Sequence, residues 1–459
     1  MLGSSRTLSA PVRFQFRSLL LTAARLQTFL AGLVLGCGLL SPLQKSAASD
    51  RVSWPMRAGP TMDSVVAAAD AKDLPLSWSE ADQRGISWKI RLEGFGHSTP
   101  AIGFNRVWLT AATEDGTQQY IYCLDQQTGQ VLHHKLLFEN ATPEPLSNPI
   151  NTYASPSCAL SQEAVYVHFG TYGTACLDPE TCEVIWQRRD INCRHFRGPG
   201  SSPVIWEDLL FLTFDGIDAQ FVTALDRRTG KTVWRTDRTT DYGDLDANGK
   251  PKLDGDLRKA YGTPSVMVAE GRAQVVSIGS RAAFSYDART GEELWTIRHD
   301  DFNASSPPLH YKGHAILNTG SRGANLLSVR LGEATRGDVS ESHVVWNRTK
   351  GNSDLSAPVL VGNRIYSVAN NGVVTAVDAD SGEEVWQGRI DGAFTASPIV
   401  AGDRIYFCNE AGDCFVVGVG EEFKVLQHNV LQEGMRASPA AADGTLFLRT
   451  FGHLYAIRQ

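Results

Sequence analysis

Two histidines stand shortly before prolines that open apolar segments of the chain. His97 precedes Thr99-Pro100, and His195 lies between Arg194 and Arg197 on the approach to Ser202-Pro203. Imidazole and guanidinium groups can transfer protons or bind anions, and nearby tyrosine and asparagine side chains would add hydrogen bonds. The candidate ligand-binding residues are His97, Tyr153, His195, Arg197, Tyr261 and Asn303. The alternative is ordinary loop solvation, with hydrogen bonds to neighbouring carbonyls.

An acidic segment in the second half of the chain resembles a calcium-binding loop. Carboxylates at the first and third positions, an asparagine at the fifth and Gly249 at the sixth fit oxygen coordination and a sharp turn. The twelfth position, usually acidic, is Gly255, with a carboxylate on each side. The candidate ligands are Asp244, Asp246, Asn248, Asp254 and Asp256. Calcium binding and a solvated acidic loop both remain open.

Local signatures of catalysis are absent from the sequence. It contains no GxSxG elbow, no HExxH pair, no Walker loop and no GxGxxG after a strand. Cys193 has no second thiol or paired histidine at zinc-ligand spacing, so no zinc site is predicted. No catalytic residue is assigned. This does not exclude an enzyme, because catalytic groups can come from loops scattered along a chain.

The candidate residues lie between copies of one pattern that recurs after Trp88. Each copy has a small residue and a proline, an apolar strand, an aromatic strand, a Leu-Asp-x-x-Thr-Gly turn and a strand that carries tryptophan. In such a turn the aspartate caps its own backbone and the glycine supplies a positive φ. The clearest turns are residues 124–129, 225–230, 286–291 and 377–382, and a degenerate turn at 177–182 has Cys182 in place of the glycine. The pattern predicts blades of four antiparallel strands.

The number of copies predicts how the fold closes. Eight prolines, spaced by 40 to 61 residues, open the units: Pro100, Pro156, Pro203, Pro264, Pro307, Pro358, Pro398 and Pro439. The last unit has three strands, whereas residues 86–90 form an outer strand with no unit before it. Joining them removes both open edges. We therefore predict an all-β, eight-bladed β-propeller of four-stranded antiparallel blades, closed by an N-terminal strand that completes the last blade.

This topology predicts where the candidate residues meet. Loops that enter the innermost strands converge on one mouth of the central channel, so the six candidate ligand-binding residues would form a polar, cationic cup for an anionic or sugar-like ligand. Elsewhere, Cys408 and Cys414 flank a five-residue hairpin loop and would face each other across two strands. Two small half-buried residues and a disulfide are both compatible with that position.

The repeated Leu-Asp-x-x-Thr-Gly-x-x-x-Trp pattern resembles the repeats of PQQ-like propellers from Trp88 to Gln459. The chain is similar to an exported bacterial branch of that family without an assigned reaction. It is more distantly similar to quinoprotein dehydrogenases, in which a vicinal Cys-Cys ring and a tryptophan enclose the quinone beside a calcium ion. This chain has no Cys-Cys dipeptide, so PQQ is not expected. The resemblance to the outer-membrane assembly lipoprotein, a propeller scaffold without a cofactor, implies a binding role.

The net charge bears on nucleic-acid binding, and the N-terminal segment bears on the cellular compartment. The net charge of −7 provides no basic field for phosphates, so no nucleic-acid partner is predicted. Residues 1–48 combine arginines with a short apolar run, which is typical of a signal peptide or membrane anchor. Cleavage after Ala48, an uncleaved anchor and lipidation of Cys37 remain open. Residues 49–85 are predicted as a leader segment and residues 86–459 as the propeller.

Together these features predict an exported protein, either periplasmic or membrane-anchored and facing the periplasm. The predicted function is that of a non-catalytic binding or scaffold protein with a protein or glycan partner in the cell envelope. Contact with the membrane would come through the N-terminal segment, if it is retained or lipidated. The alternative is an enzyme acting at the channel mouth, either a quinone-dependent dehydrogenase or a lyase or hydrolase of sugar-like substrates. No cofactor is assigned beyond the open question of calcium.

Overall fold

The repeated apolar runs form strands whose burial depends on their place in the blade. The computed structural model describes residues 51–320, 324–332 and 335–459. Every residue of the second strand of the third blade, Leu209–Asp215, is buried, whereas in the outer strand Thr232–Asp237 the one buried residue is Trp234. Inner strands are covered on both faces by neighbouring blades, so they read as continuous apolar runs.

The described residues contain eight antiparallel sheets that follow the eight sequence units. The innermost strands are Ala101–Gly103, Ala159–Leu160, Val204–Trp206, Ser265–Ala269, Leu309–Tyr311, Val359–Val361, Ile399–Ala401 and Ala440–Ala442. The second strands are Arg106–Ala112, Val165–His168, Leu209–Asp215, Arg272–Ile278, His314–Asn318, Arg364–Val368, Arg404–Cys408 and Thr445–Arg449. The third strands are Gln118–Asp125, Thr174–Leu177, Gln220–Asp226, Ala282–Asp287, Leu326–Arg330, Val373–Asp378, Asp413–Gly418 and His453–Ile457. The outer strands are Val131–Glu139, Val184–Arg188, Thr232–Asp237, Glu293–Arg298, Val344–Arg348, Glu384–Arg389, Val425–Val430 and Ile86–Arg91.

Few other elements occur in the described part of the chain. Val52–Trp54 adds a strand to the inner edge of the first blade, and Gly337–Asp338 pairs in parallel with the outer strand of the fourth. The helices are the α-helix Ala68–Ala71 and the 3₁₀ helices Gly170–Tyr172 and Lys252–Arg258. No helix within the described ranges is long and apolar enough to cross a membrane. The predictions for residues 1–48, including Cys37, fall outside the described residues.

The predicted closure is confirmed by the eighth blade. Ile86–Arg91 pairs antiparallel with His453–Ile457, and Trp88 lies opposite Ala456. The N-terminal strand is therefore the outer strand of the blade whose three inner strands come from the C-terminus. Both ends of the propeller have their backbone hydrogen bonds satisfied by this pairing.

The turns have the predicted capping, and they also receive the tryptophans. Asp226 Oδ1 accepts hydrogen bonds from the backbone of Arg228 at 3.1 Å and of Thr229 at 2.8 Å. Trp186 Nε1, on the preceding blade, donates to Arg227 O at 2.9 Å. Equivalent tryptophan bonds join Trp88 to Gln126, Trp234 to Ala288, Trp346 to Ala379 and Trp386 to Gly420. Each of these rings therefore anchors one blade on the turn of the next.

Hydroxyl side chains beside the opening prolines connect neighbouring blades near the axis. The backbone N–H of Ser157 donates to Ser202 Oγ at 2.9 Å, and that of Ser202 donates to Thr263 Oγ1 at 3.0 Å. Equivalent bonds join Thr99 to Ser157, Ala357 to Ser397 and Ser397 to Ser438. We call these contacts the hydroxyl ring. They explain why the small residues near the prolines are mostly serine or threonine.

The leader segment crosses the channel at the far ends of the innermost strands. Val52 pairs with Gly103, the last residue of its strand, and Pro55 O accepts a hydrogen bond from Leu160 N at 2.8 Å. On the other side, Val400 N donates to Ser64 O at 2.9 Å. The leader thus contacts the first, second and seventh blades and crosses this end of the channel.

The two cysteines of the predicted hairpin do face each other. Cys408 and Cys414 are directly opposed in the register of the seventh blade, and their sulfur atoms lie 2.7 Å apart. Both side chains are buried.

Candidate functional site

The end of the channel where the chain enters the innermost strands contains a cavity of about 340 Å³. We call it the mouth cavity. Its lining comes mainly from the loops around the opening prolines. Asn370 is contributed by the hairpin between the second and third strands of the sixth blade, and Arg57 by the leader. Because eight blades converge there, residues far apart in sequence lie around one small volume.

Four of the six predicted ligand-binding residues line the mouth cavity: His97, Arg197, Tyr261 and Asn303. The other two lie elsewhere. Tyr153 donates its hydroxyl hydrogen to Glu144 O at 2.9 Å and packs against Tyr172, so its ring is held in the loop core. His195 lines a neighbouring cavity of about 20 Å³. Whether any of the six binds a ligand stays a prediction.

Three arginines give the mouth cavity its positive character. Arg197 forms an ion pair with Asp256 at 3.1 Å, and Arg436 forms one with Glu410 at 3.0 Å. Arg57 has no ion pair with any described residue, and its side chain donates to Ser397 Oγ at 3.3 Å. Burial lowers the pKa of Arg57 to about 10, so it is still charged at neutral pH.

Two of these arginines were missed in the sequence. Arg436 stands two residues before Ser438-Pro439, just as His97 stands two residues before Thr99-Pro100, so the same positional argument could have found it. Arg57 had no such signal. It reaches the cavity because the leader crosses the channel, and long-range pairing of that kind leaves no local pattern.

The two histidines are uncharged at neutral pH. Burial, together with the smaller effect of the positive charges of Arg449 and Arg436, lowers the pKa of His97 to about 3. Burial lowers the pKa of His195 to about 4, with a contribution from the positive charge of Lys259. Neither imidazole is hydrogen-bonded to a carboxylate of the described chain. They therefore lack the orienting group and the near-neutral pKa that suit general acid–base catalysis.

Several buried polar atoms around the mouth cavity have no hydrogen-bond partner among the described residues. They are Asn303 Oδ1, Asn370 Oδ1, Thr395 Oγ1 and Arg436 Nε. Buried polar atoms in proteins are nearly always paired, and leaving one unpaired costs about 1–3 kcal/mol. Their concentration around one cavity fits a ligand or ordered water that offers both donors and acceptors.

Three of the five predicted calcium ligands are engaged with other groups. Asp244 accepts hydrogen bonds from Arg258 at 2.7 and 2.9 Å, and Asp256 pairs with Arg197 and Lys259. Asp246 Oδ1 instead caps the backbone of its own turn, at Asn248 N and Lys250 N. Within the described ranges no group of three or more His, Cys, Asp or Glu side chains could hold a metal ion. Calcium binding by Asp244, Asp246, Asn248, Asp254 and Asp256 stays a prediction.

Comparison with known proteins gives one family match. The sequence model of the family described as outer membrane protein assembly factor BamB matches residues 42–214 and 218–459. Curated protein sequences give no match to the chain.

Solved structures share the fold. BamB from Moraxella catarrhalis has a TM-score of 0.54 and 13% identity, over 82% of this chain and 99% of that one. A quinohemoprotein alcohol dehydrogenase from Comamonas testosteroni has a TM-score of 0.62 and 12% identity, over 90% of this chain and 81% of that one. The alcohol dehydrogenase ADHIIG from Pseudomonas putida HK5 has a TM-score of 0.64 and 11% identity, over 91% and 82%. At these identities the similarity establishes the fold alone.

The residues around the mouth cavity do not fit the quinone site of the dehydrogenases. That site needs a tryptophan on one face of the quinone, a vicinal cysteine pair on the other and several oxygen ligands for calcium. The described lining contains neither a tryptophan nor a cysteine, and its carboxylate is that of Asp354. Its arginines could pair with carboxylates, but the described lining lacks the tryptophan and the cysteine pair that enclose the quinone in those enzymes.

Proposed function

Because the chain belongs to the PQQ-like propeller family described as outer membrane protein assembly factor BamB, we propose that it is a non-catalytic binding protein of the cell envelope. It is exported and holds a protein or glycan partner at the channel mouth. The family description names an assembly factor for outer membrane proteins, which supports an envelope role for this chain as well.

The observation that carries the proposal is the chemistry of the mouth cavity. The cavity offers guanidinium, amide and hydroxyl groups for binding, while its histidine, His97, is uncharged, with a pKa of about 3. Binding needs fixed donors and acceptors, whereas catalysis by proton transfer needs a group that changes its protonation near the working pH.

Exposed apolar groups lie at the mouth cavity and beside it: Ile150 lines it, and Phe95 and Phe451 line a neighbouring cavity. Phe95, Ile150 and Phe451 are exposed by 46%, 43% and 39%. The Arg436 guanidinium lies 5.9 Å from the Phe451 ring centre and also contacts Pro149 O, beside Ile150. Arginine and aromatic side chains dominate the binding energy of protein interfaces. We call Phe95, Ile150, Phe451 and Arg436 the rim patch and assign the partner contact to it.

Site-specific crosslinking tests this assignment. A photo-crosslinking amino acid at Ile150, in the full chain expressed in its own cells, should give adducts with envelope components identifiable by mass spectrometry. The matched control is Val233, which is 50% exposed on an outer strand. Equal adducts from both positions, or none from Ile150, would contradict a partner at the mouth.

The enzyme alternative is tested separately. The full chain is supplied with PQQ and calcium and assayed for dye-linked oxidation of alcohols, and its thermal stability is followed with and without each addition. We expect neither turnover nor stabilisation. Turnover that requires both PQQ and calcium would replace the proposal with a dehydrogenase.

A further inference from the structure

We infer that the mouth cavity is a binding site for a polyhydroxylated carboxylate of sugar-acid size, with Arg57 of the leader as the group that recognises the carboxylate. This small-molecule site goes beyond the partner contact proposed for the rim patch. It rests on the proposed binding role, because both draw on the mouth cavity and Ile150 belongs to its lining, but the titration below and the crosslinking at Ile150 can fail separately.

The charge of Arg57 requires an explanation within the cavity. A guanidinium that is partly removed from water is costly unless an opposite charge or several hydrogen bonds compensate it. Within the described chain, Arg57 has the hydrogen bond to Ser397 Oγ at 3.3 Å and no ion pair. Arg197 and Arg436 in the same lining each have a carboxylate partner at about 3 Å. Arg57 is therefore the arginine of this lining that can bind an anion. The two parallel N–H donors of a guanidinium match the two oxygens of a carboxylate.

The leader places this charge where a ligand can reach it. Flanking residues of the leader are anchored to the blades by backbone hydrogen bonds, such as the 2.8 Å bond from Leu160 N to Pro55 O. Arg57 lines the cavity from that anchored segment. The site is thus preorganised, so little ordering is needed on binding.

The remaining unpartnered atoms specify what should surround the carboxylate. Asn303 Oδ1 and Asn370 Oδ1 are buried acceptors without a described donor, and Thr395 Oγ1 is a hydroxyl without a described partner. Ligand hydroxyl groups would satisfy all three, since a hydroxyl both donates and accepts. A volume of about 340 Å³ is at the small end of ligand pockets and suits one or two sugar rings. A ligand with one carboxylate and several hydroxyls fits these requirements together.

The experiment is a titration of the full chain by calorimetry and thermal shift with glucuronate as the probe. Glucose, which has the hydroxyls without the carboxylate, and acetate, which has the carboxylate without the hydroxyls, are the comparisons. We expect glucuronate to bind and raise the melting temperature, with at least tenfold weaker binding of the other two. A tetrasaccharide that ends in a uronate distinguishes a free sugar acid from the end of a glycan chain as the ligand. If it binds more tightly than glucuronate, the ligand is a glycan end, and otherwise it is a free sugar acid.

Variants assign the carboxylate to Arg57. Arg57→Gln should weaken glucuronate binding by about tenfold to a hundredfold, because hydrogen bonds to a charged group are lost. Arg57→Lys should retain more affinity than Arg57→Gln, since it keeps the charge. The control is Arg298→Gln, which removes an exposed guanidinium paired with Asp338 and should not change the affinity.

A second measurement separates recognition from a structural role. Without ligand, Arg57→Gln should melt at the same temperature as the wild type or higher, because an uncompensated charge has been removed. A clear fall in the melting temperature of Arg57→Gln, together with an unchanged affinity of the same variant for glucuronate, would make Arg57 structural. Equal affinity for glucose and glucuronate, or no binding of either, would overturn the inference while leaving the crosslinking at Ile150 as an independent result.

Discussion

At the scale of single residues, the repeated turn is a joint between blades. Each glycine of the Leu-Asp-x-x-Thr-Gly turns has a left-handed conformation, with φ of +69° at Gly230. A Cβ added to Gly230 would lie 2.6 Å from the Trp186 ring of the preceding blade. Glycine is therefore required both by the backbone and by the tryptophan that docks over it.

These two requirements can be separated by mutation. Gly230→Ala should lower the free energy of unfolding by about 2–4 kcal/mol, since it combines backbone strain with a clash against the indole. The control is Gly271→Ala, at φ +83° with nothing within 4 Å of the added Cβ, which should cost about 1 kcal/mol. Urea unfolding followed by tryptophan fluorescence measures both. Equal losses in the two variants would show that the tryptophan contact contributes nothing.

The degenerate turn follows the same logic. Cys182 adopts φ +58° in the position of the glycine. The outer strand that contacts it, Val131–Glu139, contains no tryptophan, and Lys135 Nζ donates to Cys182 O at 2.8 Å instead. With no indole above the turn, a side chain fits at this position. The loss of the tryptophan in the first blade thus explains the loss of the glycine in the second.

At the scale of elements, the hydroxyl ring shows what the sequence could and could not predict. The register of small residues and prolines correctly identified the innermost strands, because proline is tolerated at the start of a strand. The hydrogen bonds between blades were not predicted, since they join residues 40 to 61 positions apart. In the second blade the accepting hydroxyl is that of Ser157, one residue after the proline, rather than Ser155 before it.

A substitution in the hydroxyl ring tests its contribution. Ser202→Ala removes the acceptor of the Ser157 backbone N–H, and Ser202 is buried at 2% exposure. We expect a loss of about 1–3 kcal/mol in the free energy of unfolding, the cost of an unpaired buried donor. Ser342→Ala, at an exposed serine, should stay within about 0.5 kcal/mol. If Ser202→Ala is equally silent, water has replaced the hydroxyl and the ring contributes little.

At the scale of the whole molecule, the repeat and its closure could be predicted from the sequence better than the residues in the central channel. Eight units and the shared eighth blade were readable because each blade carries its own local pattern. Residues 49–85 carried no repeat and were predicted as a leader of unassigned position. In the structure the described part of this segment pairs with the innermost strands, crosses the channel and supplies Arg57 to the mouth cavity. The candidate site was thus only partly predictable, because its floor depends on contacts distant in sequence.

Burial of several histidines makes the stability of the whole propeller depend on pH. Burial lowers the pKa of four histidines to about 3 or 4: His97, His168, His195 and His299. In the unfolded chain the pKa of each of these histidines returns to about 6.5. Between pH 6.5 and 4 the unfolded state therefore binds more protons than the folded state. Stability is therefore fully present above pH 6.5 and falls as the pH decreases, with a slope approaching roughly 5 kcal/mol per pH unit near pH 5.

Urea unfolding at pH values from 7.5 to 5 measures this slope. His168→Gln removes one of the four groups and should flatten the slope by about a quarter, whatever it does to the stability at pH 7. His134→Gln, at an exposed histidine, should leave the slope as it is. Some carboxylates, such as Asp226 and Asp244, have lowered pKa values. Protonating them also destabilises the fold as the pH decreases, but only below about pH 4. A stability that stays constant from pH 7 to 5 would show that the buried histidines accept protons without unfolding, and would reopen proton transfer by His97 at the mouth.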